Sequence, residues 1–474
     1  MNEFSILDLL VAPIYIVLFL ALARRKMQAN IEENPIYEMY AKGLIMKLVC
    51  GIGLCFVYLF YYGGGDTLNY MHDARIMLRM AASDFGAFWD IMVNGLQKAD
   101  YIHFNRDIGY PEYNYNKKEE WTVIRYTVPF AFLGLRLYIP TTLVIAWFSY
   151  QGIWRMYMVF ADTFKRHYKE LAIPLLFIPS CAFWGTGVLK DTFTFSAIGW
   201  YLYSFYNIFI KRNNPRKHIF ALIMASWIII TIKAYIFIAL MPGSLIWLNF
   251  ERLQAIKSPF LRFMALPVLM GGVGLGGVLL LTQLGGAFGK YSSVDKVLET
   301  AVVTQQDLKR AEYQGASFDI GNFDPTISGV VSKFPAATTA GLFRPFIWEA
   351  RNPVMFISGL ENLLFLGFTI RLLFSFGLVG FFSTIGKNPL LLFSLIFSIF
   401  FAFSIGLTTS NFGSLVRYKI PCEPFYLATM FVLFYEYRKV KNEDGETVIE
   451  EVDKVNEFPE LPAKEEKGTG FITR

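Results

Sequence analysis

Apolar runs long enough to cross a bilayer recur along this 474-residue chain, yet charged side chains survive inside them or at their ends, at Asp66, Lys190, Asp191, Lys233, Arg344, Glu349, Arg371 and Arg417. A helix needs about 17–25 apolar residues to span the hydrocarbon core. A charge at its centre costs about 2.5–3.5 kcal/mol on insertion scales, so intramembrane charges are as a rule paired, hydrated or functional. With 54% hydrophobic and 17% charged residues, the chain has too little polar surface for a soluble globule. The expectation is an all-α fold, a polytopic transmembrane helical bundle.

Basic loops set its expected orientation. A first span over 7–23 is followed at once by Arg24, Arg25 and Lys26 and lacks the leader and cleavage site of a signal peptide, so it reads as a retained helix. Short Lys- and Arg-rich loops stay in the cytoplasm. Applied at Lys165, Arg166 and Lys169, at Lys211, Arg212, Arg216 and Lys217, at Arg252, Lys257 and Arg262, and at Arg438, Lys439 and Lys441, that rule gives about 11 spans with the N-terminus out and the C-terminus in. The expected divisions are two spans over 1–63, an outer loop with amphipathic or re-entrant helices over 64–136 and a central bundle over 137–284. A second outer loop over 285–355, C-terminal spans over 356–437 and a charged, disordered cytoplasmic tail over 438–474 complete the chain.

Several function classes are disfavoured at once. Cys50, Cys55, Cys181 and Cys422 sit in apolar runs without zinc-knuckle or redox spacing, and read as packing residues. His72, His103, His167 and His218 are scattered without an HExxH pattern, and no GxxxxGK[ST] loop is present, which argues against a histidine metal site and an ATP-driven pump.

The surviving charges sit in four motifs. In Gly63-Gly64-Gly65-Asp66-Thr67 the glycines let the backbone turn sharply, and Asp66 is either a general base or an N-cap for the next helix. In 179–191, PSCAFWGTGVLKD, Pro179, Gly185 and Gly187 loosen a helix beside Lys190 and Asp191; the adjacent pair can neutralise itself, either as a structural fastening or while offering an ammonium to an anion. LFRPFIWEARNP over 342–353 combines Arg344, Arg351 and Glu349 with aromatics, an interfacial belt or a phosphate-contacting loop. Arg417 and Lys419 stand at the outer end of the last span, where Lys419 either snorkels or joins Lys190, Lys233, Arg344 and Arg351 in a basic external vestibule. Glu361 and Arg371 are about 15 Å apart along one helix, so each needs a partner elsewhere.

A basic site beside a carboxylate at the outer face suits an anionic lipid carrier such as a polyprenyl-diphosphate-linked saccharide. Lys190, Lys233, Arg344, Arg351, Arg417 and Lys419 would hold the diphosphate and stabilise it as leaving group, with Asp66, Asp191 and Glu349 as catalytic carboxylates. Alternatives are a flippase or transporter of such a lipid or another anion, with broken helices serving alternating access, or a non-catalytic subunit of an envelope complex whose partners meet the tail.

Taken together, GGGDT, PSCAFWGTGVLKD, LFRPFIWEA and LVRYKIPCEPF, spread over roughly 55–435, resemble bacterial O-antigen-polymerase-like and GT-C glycosyltransferase-like membrane proteins of polysaccharide biosynthesis. That resemblance implies a multi-pass protein of the bacterial cytoplasmic membrane, acting at the non-cytoplasmic face on a lipid-linked saccharide among membrane lipids, with no nucleic acid and no cofactor. It also implies an essential acid in the first outer loop, for which Asp66 stands first and Asp73 second. The chain has no DxD motif, so a divalent metal is not implied.

Overall fold

The computed structural model describes residues 4–256, 293–308, 317–441, 447–451 and 457–458. The span expected over 267–283 with its Gly-rich run, and the basic residues Lys257 and Arg262, lie outside the described residues.

Two antiparallel helices open the bundle. Helix α1 (Ile6–Asn30) starts with a capping box, in which Asp8 accepts the Ser5 amide at 3.0 Å. The other Asp8 oxygen accepts the Ile139 amide at 2.8 Å, so one buried carboxylate caps two helices. Helix α2 (Glu38–Phe56) continues through a π turn (Val57–Tyr62) back to the start of α1, where the Phe4 and Phe60 rings meet.

A polar layer follows. Helices α3 (Asp66–Ser83) and α4 (Phe85–Asn94) lead to α5 (Lys118–Leu133), which meets α6 (Tyr138–Thr163) at 107°. Leu135 and Arg136 turn that corner at positive φ, so α5 does not continue the axis of the long, almost wholly buried α6.

Short helices then fill the interior: α7 (Tyr168–Leu176), α8 (Pro179–Trp184) and α9 (Lys190–Phe205). The apolar run over 171–189 is not one continuous helix, because Pro179 restarts the helix after Phe177 and the backbone from Gly185 to Leu189 is not helical. Helix α9 lies against α6 with backbones nearly touching. A Cβ on Gly199 would fall 2.0 Å from the Gly152 carbonyl oxygen, so only residues without side chains permit that approach.

Helix α10 (Pro215–Leu248) runs 34 residues, but Lys233 leaves helical geometry at φ −145° and ψ 74°, and divides it into 215–232 and 234–248. The chain thus kinks at Lys233 within one continuous apolar stretch. After α11 (Phe250–Gln254) come α12 (Val294–Leu308), α13 (Ile327–Ser332) and α14 (Phe334–Phe343). Helix α15 (Pro353–Ile385) has a break at Gly377, and α16 (Pro389–Thr408) packs on α14 through Gly341 and Ala402. Helices α17 (Phe412–Tyr418) and α18 (Glu423–Glu436) close the fold.

Among the described residues five helices are long and apolar enough to cross a membrane, or six if the bent pair α5 and α6 counts as one. The exposed apolar side chains of α1, α10 and α15, including Leu10, Phe220 and Phe374, match that reading. Where composition reads as a disordered tail, strands β1 (Tyr437–Lys441) and β2 (Thr447–Glu451) pair antiparallel. Among the described residues the regular structure is otherwise helical.

Candidate functional site

Four breaks in helical structure converge at the end of the bundle where α1 begins and α2 ends. Gly63 and Gly65 take positive φ, 64° and 114°, and Tyr58 sits 3.0 Å from where a Gly65 Cβ would lie, so this turn needs glycine. It delivers Asp66 to the first turn of α3, Leu189 hands Lys190 and Asp191 to the start of α9, the kink of α10 places Lys233, and α17 ends at Arg417 and Tyr418.

The side chains join into one chain of charge. Lys233 Nζ donates to Asp191 Oδ1, and Arg417 Nε to Asp191 Oδ2, while Arg417 Nη1 donates to Asp66 Oδ2 at 2.9 Å. Asp191 is 0% exposed and the Asp66 side chain 43%, so the network runs from a sealed carboxylate to one that solvent reaches. The Lys233 ammonium also lies 4.4 Å from the centre of the Tyr418 ring. Burial alone would raise the Asp66 carboxyl, but the Arg417 charge and hydrogen bonds from Arg417 and Tyr113 hold it below the usual carboxylate range.

A folded loop supports Asp66 from the other side. The Tyr113 hydroxyl donates to Asp66 Oδ1 at 3.1 Å, and its ring stacks on Tyr70. Asp73, one of the two acids singled out by resemblance, is fully buried and accepts the Glu112 and Tyr113 amides, so it fixes the loop and does not face a substrate. Burial pushes its carboxyl up to about 7, against those two amides.

Several partners expected from the sequence differ in the structure. Lys190 and Asp191 do not neutralise each other: consecutive helix positions point apart, and Lys190 instead pairs with Glu119 at 3.4 Å and Glu120 at 2.9 Å on the first turn of α5. The expected basic vestibule is corrected too. Against Lys190, Lys233 and Arg417 stand Asp66, Asp191, Glu119 and Glu120, so this network itself carries no excess of positive charge. Arg344 pairs with Glu349, which also accepts the Phe346 amide at 2.9 Å, and the guanidinium stacks on Phe318 and Phe412. That closed loop holds Glu349 away from a catalytic role, and Arg351 lies exposed beyond it.

Lys419 belongs to a second cluster inside the bundle. It is 0% exposed, donates to Asn362 Oδ1 and lies 2.9 Å from Glu423 Oε1. Ser180 Oγ lies 3.0 Å from both Glu361 Oε1 and Glu423 Oε2, which supplies Glu361 with its expected partner. Arg371 finds the Phe434 ring at 5.0 Å. Sequence reading missed Glu423, although Lys419 and Glu423 have i,i+4 spacing. It also missed Lys47, a buried lysine in an apolar run that donates to the Gly185 carbonyl. Tyr113, Glu119 and Glu120 gave no signal beyond their polarity.

Among the described residues no three His, Cys, Asp or Glu side chains gather as a metal-ligand group. Fold and site together define a helical membrane protein with a buried charge network at one end of its bundle. No protein-family model, curated protein or solved structure matches the chain.

Two outcomes follow from burial. Asp191→Asn leaves two cations facing a neutral group in a sealed site and should cost about 3–5 kcal/mol in chemical denaturation, whereas Asp66→Asn, at a solvent-reached pair, should cost about 0–1 kcal/mol. Equal losses would contradict the difference in burial. Because folding raises the Asp73 pKa from 3.8 to about 7, its contribution is full below pH 4 and lost as pH rises through 7. The stability advantage of the wild type over Asp73→Asn should therefore shrink between about pH 4 and pH 7, and a pH-independent difference would contradict it.

Proposed function

We propose that this protein is a membrane glycosyltransferase or polysaccharide polymerase that uses a polyprenyl-diphosphate-linked saccharide at the non-cytoplasmic face of a bacterial inner membrane. The observation that carries the reading is Asp66, a carboxylate that solvent reaches, joined through Arg417 to the sealed carboxylate Asp191. The basic residues Arg24 and Arg25 lie at the other end of α1, and the positive-inside rule then puts Asp66 outside, in a topology of about 11 spans with the N-terminus out and the C-terminus in.

In this reading the acceptor hydroxyl attacks the anomeric carbon, the bond from that carbon to the diphosphate oxygen breaks, and Asp66 accepts the hydroxyl proton. A carboxylate held below the usual range is a weak base until the hydroxyl acidifies in the transition state, and it stays charged and ready at neutral pH. Arg417 and Lys190 are the cations near enough to Asp66 to receive the departing diphosphate, Lys190 by exchanging Glu119 and Glu120 for phosphate oxygens. Asp191 and Lys233 are positioning residues, because the two anchors of Arg417 fix where its guanidinium points.

Transport of a lipid-linked saccharide is the second reading. It draws on the Glu361, Glu423 and Lys419 cluster, where two carboxylates share one serine hydroxyl inside the bundle beside a single ammonium, an arrangement suited to a coupling ion.

Cells supplied only with Asp66→Asn should keep normal amounts of inserted protein and accumulate an outward-facing polyprenyl diphosphate saccharide, identified by mass spectrometry of the lipid extract. An inward-facing lipid would favour transport. Wild-type product with no accumulated lipid would remove Asp66 from the chemistry.

A further inference from the structure

At the opposite end of the bundle from Asp66, a cavity of about 390 Å³ opens between α1, α2, α6 and α9. Its walls include Trp147 and Trp200, and its rim is formed by Leu22 and Phe148, 41% and 44% exposed, which face the apolar surroundings of the helices. Lys26 projects into this space. Its ammonium lies 3.3 Å from the Tyr40 hydroxyl, 3.2 Å from Gln151 Oε1 and 4.4 Å from the centre of the Tyr40 ring. One helical turn beyond Gln151, the Arg155 guanidinium lies 3.6 Å from the centre of the Trp200 ring and donates to the Gln151 carbonyl.

What sets this place apart is two cations beside one open cavity with, among the described residues, no carboxylate next to either. Each of Lys190, Lys233, Arg344, Arg417 and Lys419 has a carboxylate beside it. Lys26 and Arg155 have only neutral partners among the described residues: a phenol, an amide, a carbonyl and aromatic faces. Two cations without a counter-ion, half-buried in an apolar bundle, are a costly arrangement that an anion relieves. The exposed Arg24 and Arg25 on the same turn of α1 add to the attraction.

We infer that this cavity binds the phosphate headgroup of an anionic phospholipid, with Lys26 as its direct contact, Arg155 as the adjacent charge and the acyl chains leaving across the Leu22 and Phe148 rim. The rim selects a lipid over a soluble anion: a phosphate ion has no use for an apolar wall, whereas acyl chains lie along it as they lie along the rest of α1. Basic pockets between membrane helices at the basic end of a bundle bind acidic headgroups on the same principle. The position is far along α1 from the Asp66 site, so this inference stands whether or not the transfer reading holds.

The test is native mass spectrometry of the full-length protein released from nanodiscs of mixed phosphatidylglycerol and phosphatidylcholine. The wild type should retain one phosphatidylglycerol, Lys26→Arg should keep it, and Lys26→Gln should weaken retention about fivefold or more. Leu22→Trp fills the cavity without touching either charge and should also lose the lipid, which covers the case in which Lys26→Gln does not fold. Equal retention in the wild type and Leu22→Trp, or retention of phosphatidylcholine as readily as phosphatidylglycerol, would overturn the inference. So would thermal protection by inorganic phosphate alone that matches phosphatidylglycerol in detergent.

Discussion

Asp191, at zero exposure, can remain charged only because Lys233 and Arg417 both reach it. Removing either cation leaves an uncompensated charge in an apolar interior, which is why this contact constrains so much else. Lys233 arrives from a kink in α10, Arg417 from the end of α17, and Asp191 from the start of α9, so three elements far apart in sequence must meet at one point. Arg417 then carries the constraint outward to Asp66 and, through the Tyr113 hydroxyl, to the loop that Asp73 holds.

The same contact explains where helical structure stops. Non-helical backbone at membrane depth is tolerated where protein buries it, and the glycine turn before Asp66, the coil before Lys190 and the break at Lys233 all occur at the network. Elsewhere the interior is closed by contacts that admit no side chain, Gly152 on Gly199 and Gly341 on Ala402. Closely packed helices thus frame the network, with Asp66 the member that solvent meets.

Much of this is legible in the sequence. A charge inside an apolar run is a strong signal in itself, and it picked out Asp66, Asp191, Lys233 and Arg417 without reference to partners. Partners were another matter, since Arg417 and Asp66 are 351 residues apart and no periodicity encodes their meeting. Lys190 and Asp191 misled because adjacency in sequence looks like pairing, whereas on a helix it separates side chains. The motif of Arg344 and Glu349 reads as an interfacial belt or a phosphate-contacting loop, yet the two charges satisfy each other within it. Composition alone does not separate a lipid-facing helix such as α15 from shorter interior helices such as α8 and α9, which are hydrophobic for the sake of packing, and among the described residues five or six helices are long and apolar enough to cross a membrane.

A double-mutant cycle between Asp191 and Lys233, followed by denaturant unfolding in defined micelles, tests the buried network most directly. Asp191→Asn and Lys233→Met should each destabilise by several kcal/mol, and the double variant should recover about half or more of the summed loss, because the uncompensated charge is gone. Additive losses would mean that the two side chains do not share a buried contact, and the account of the site would fall with it.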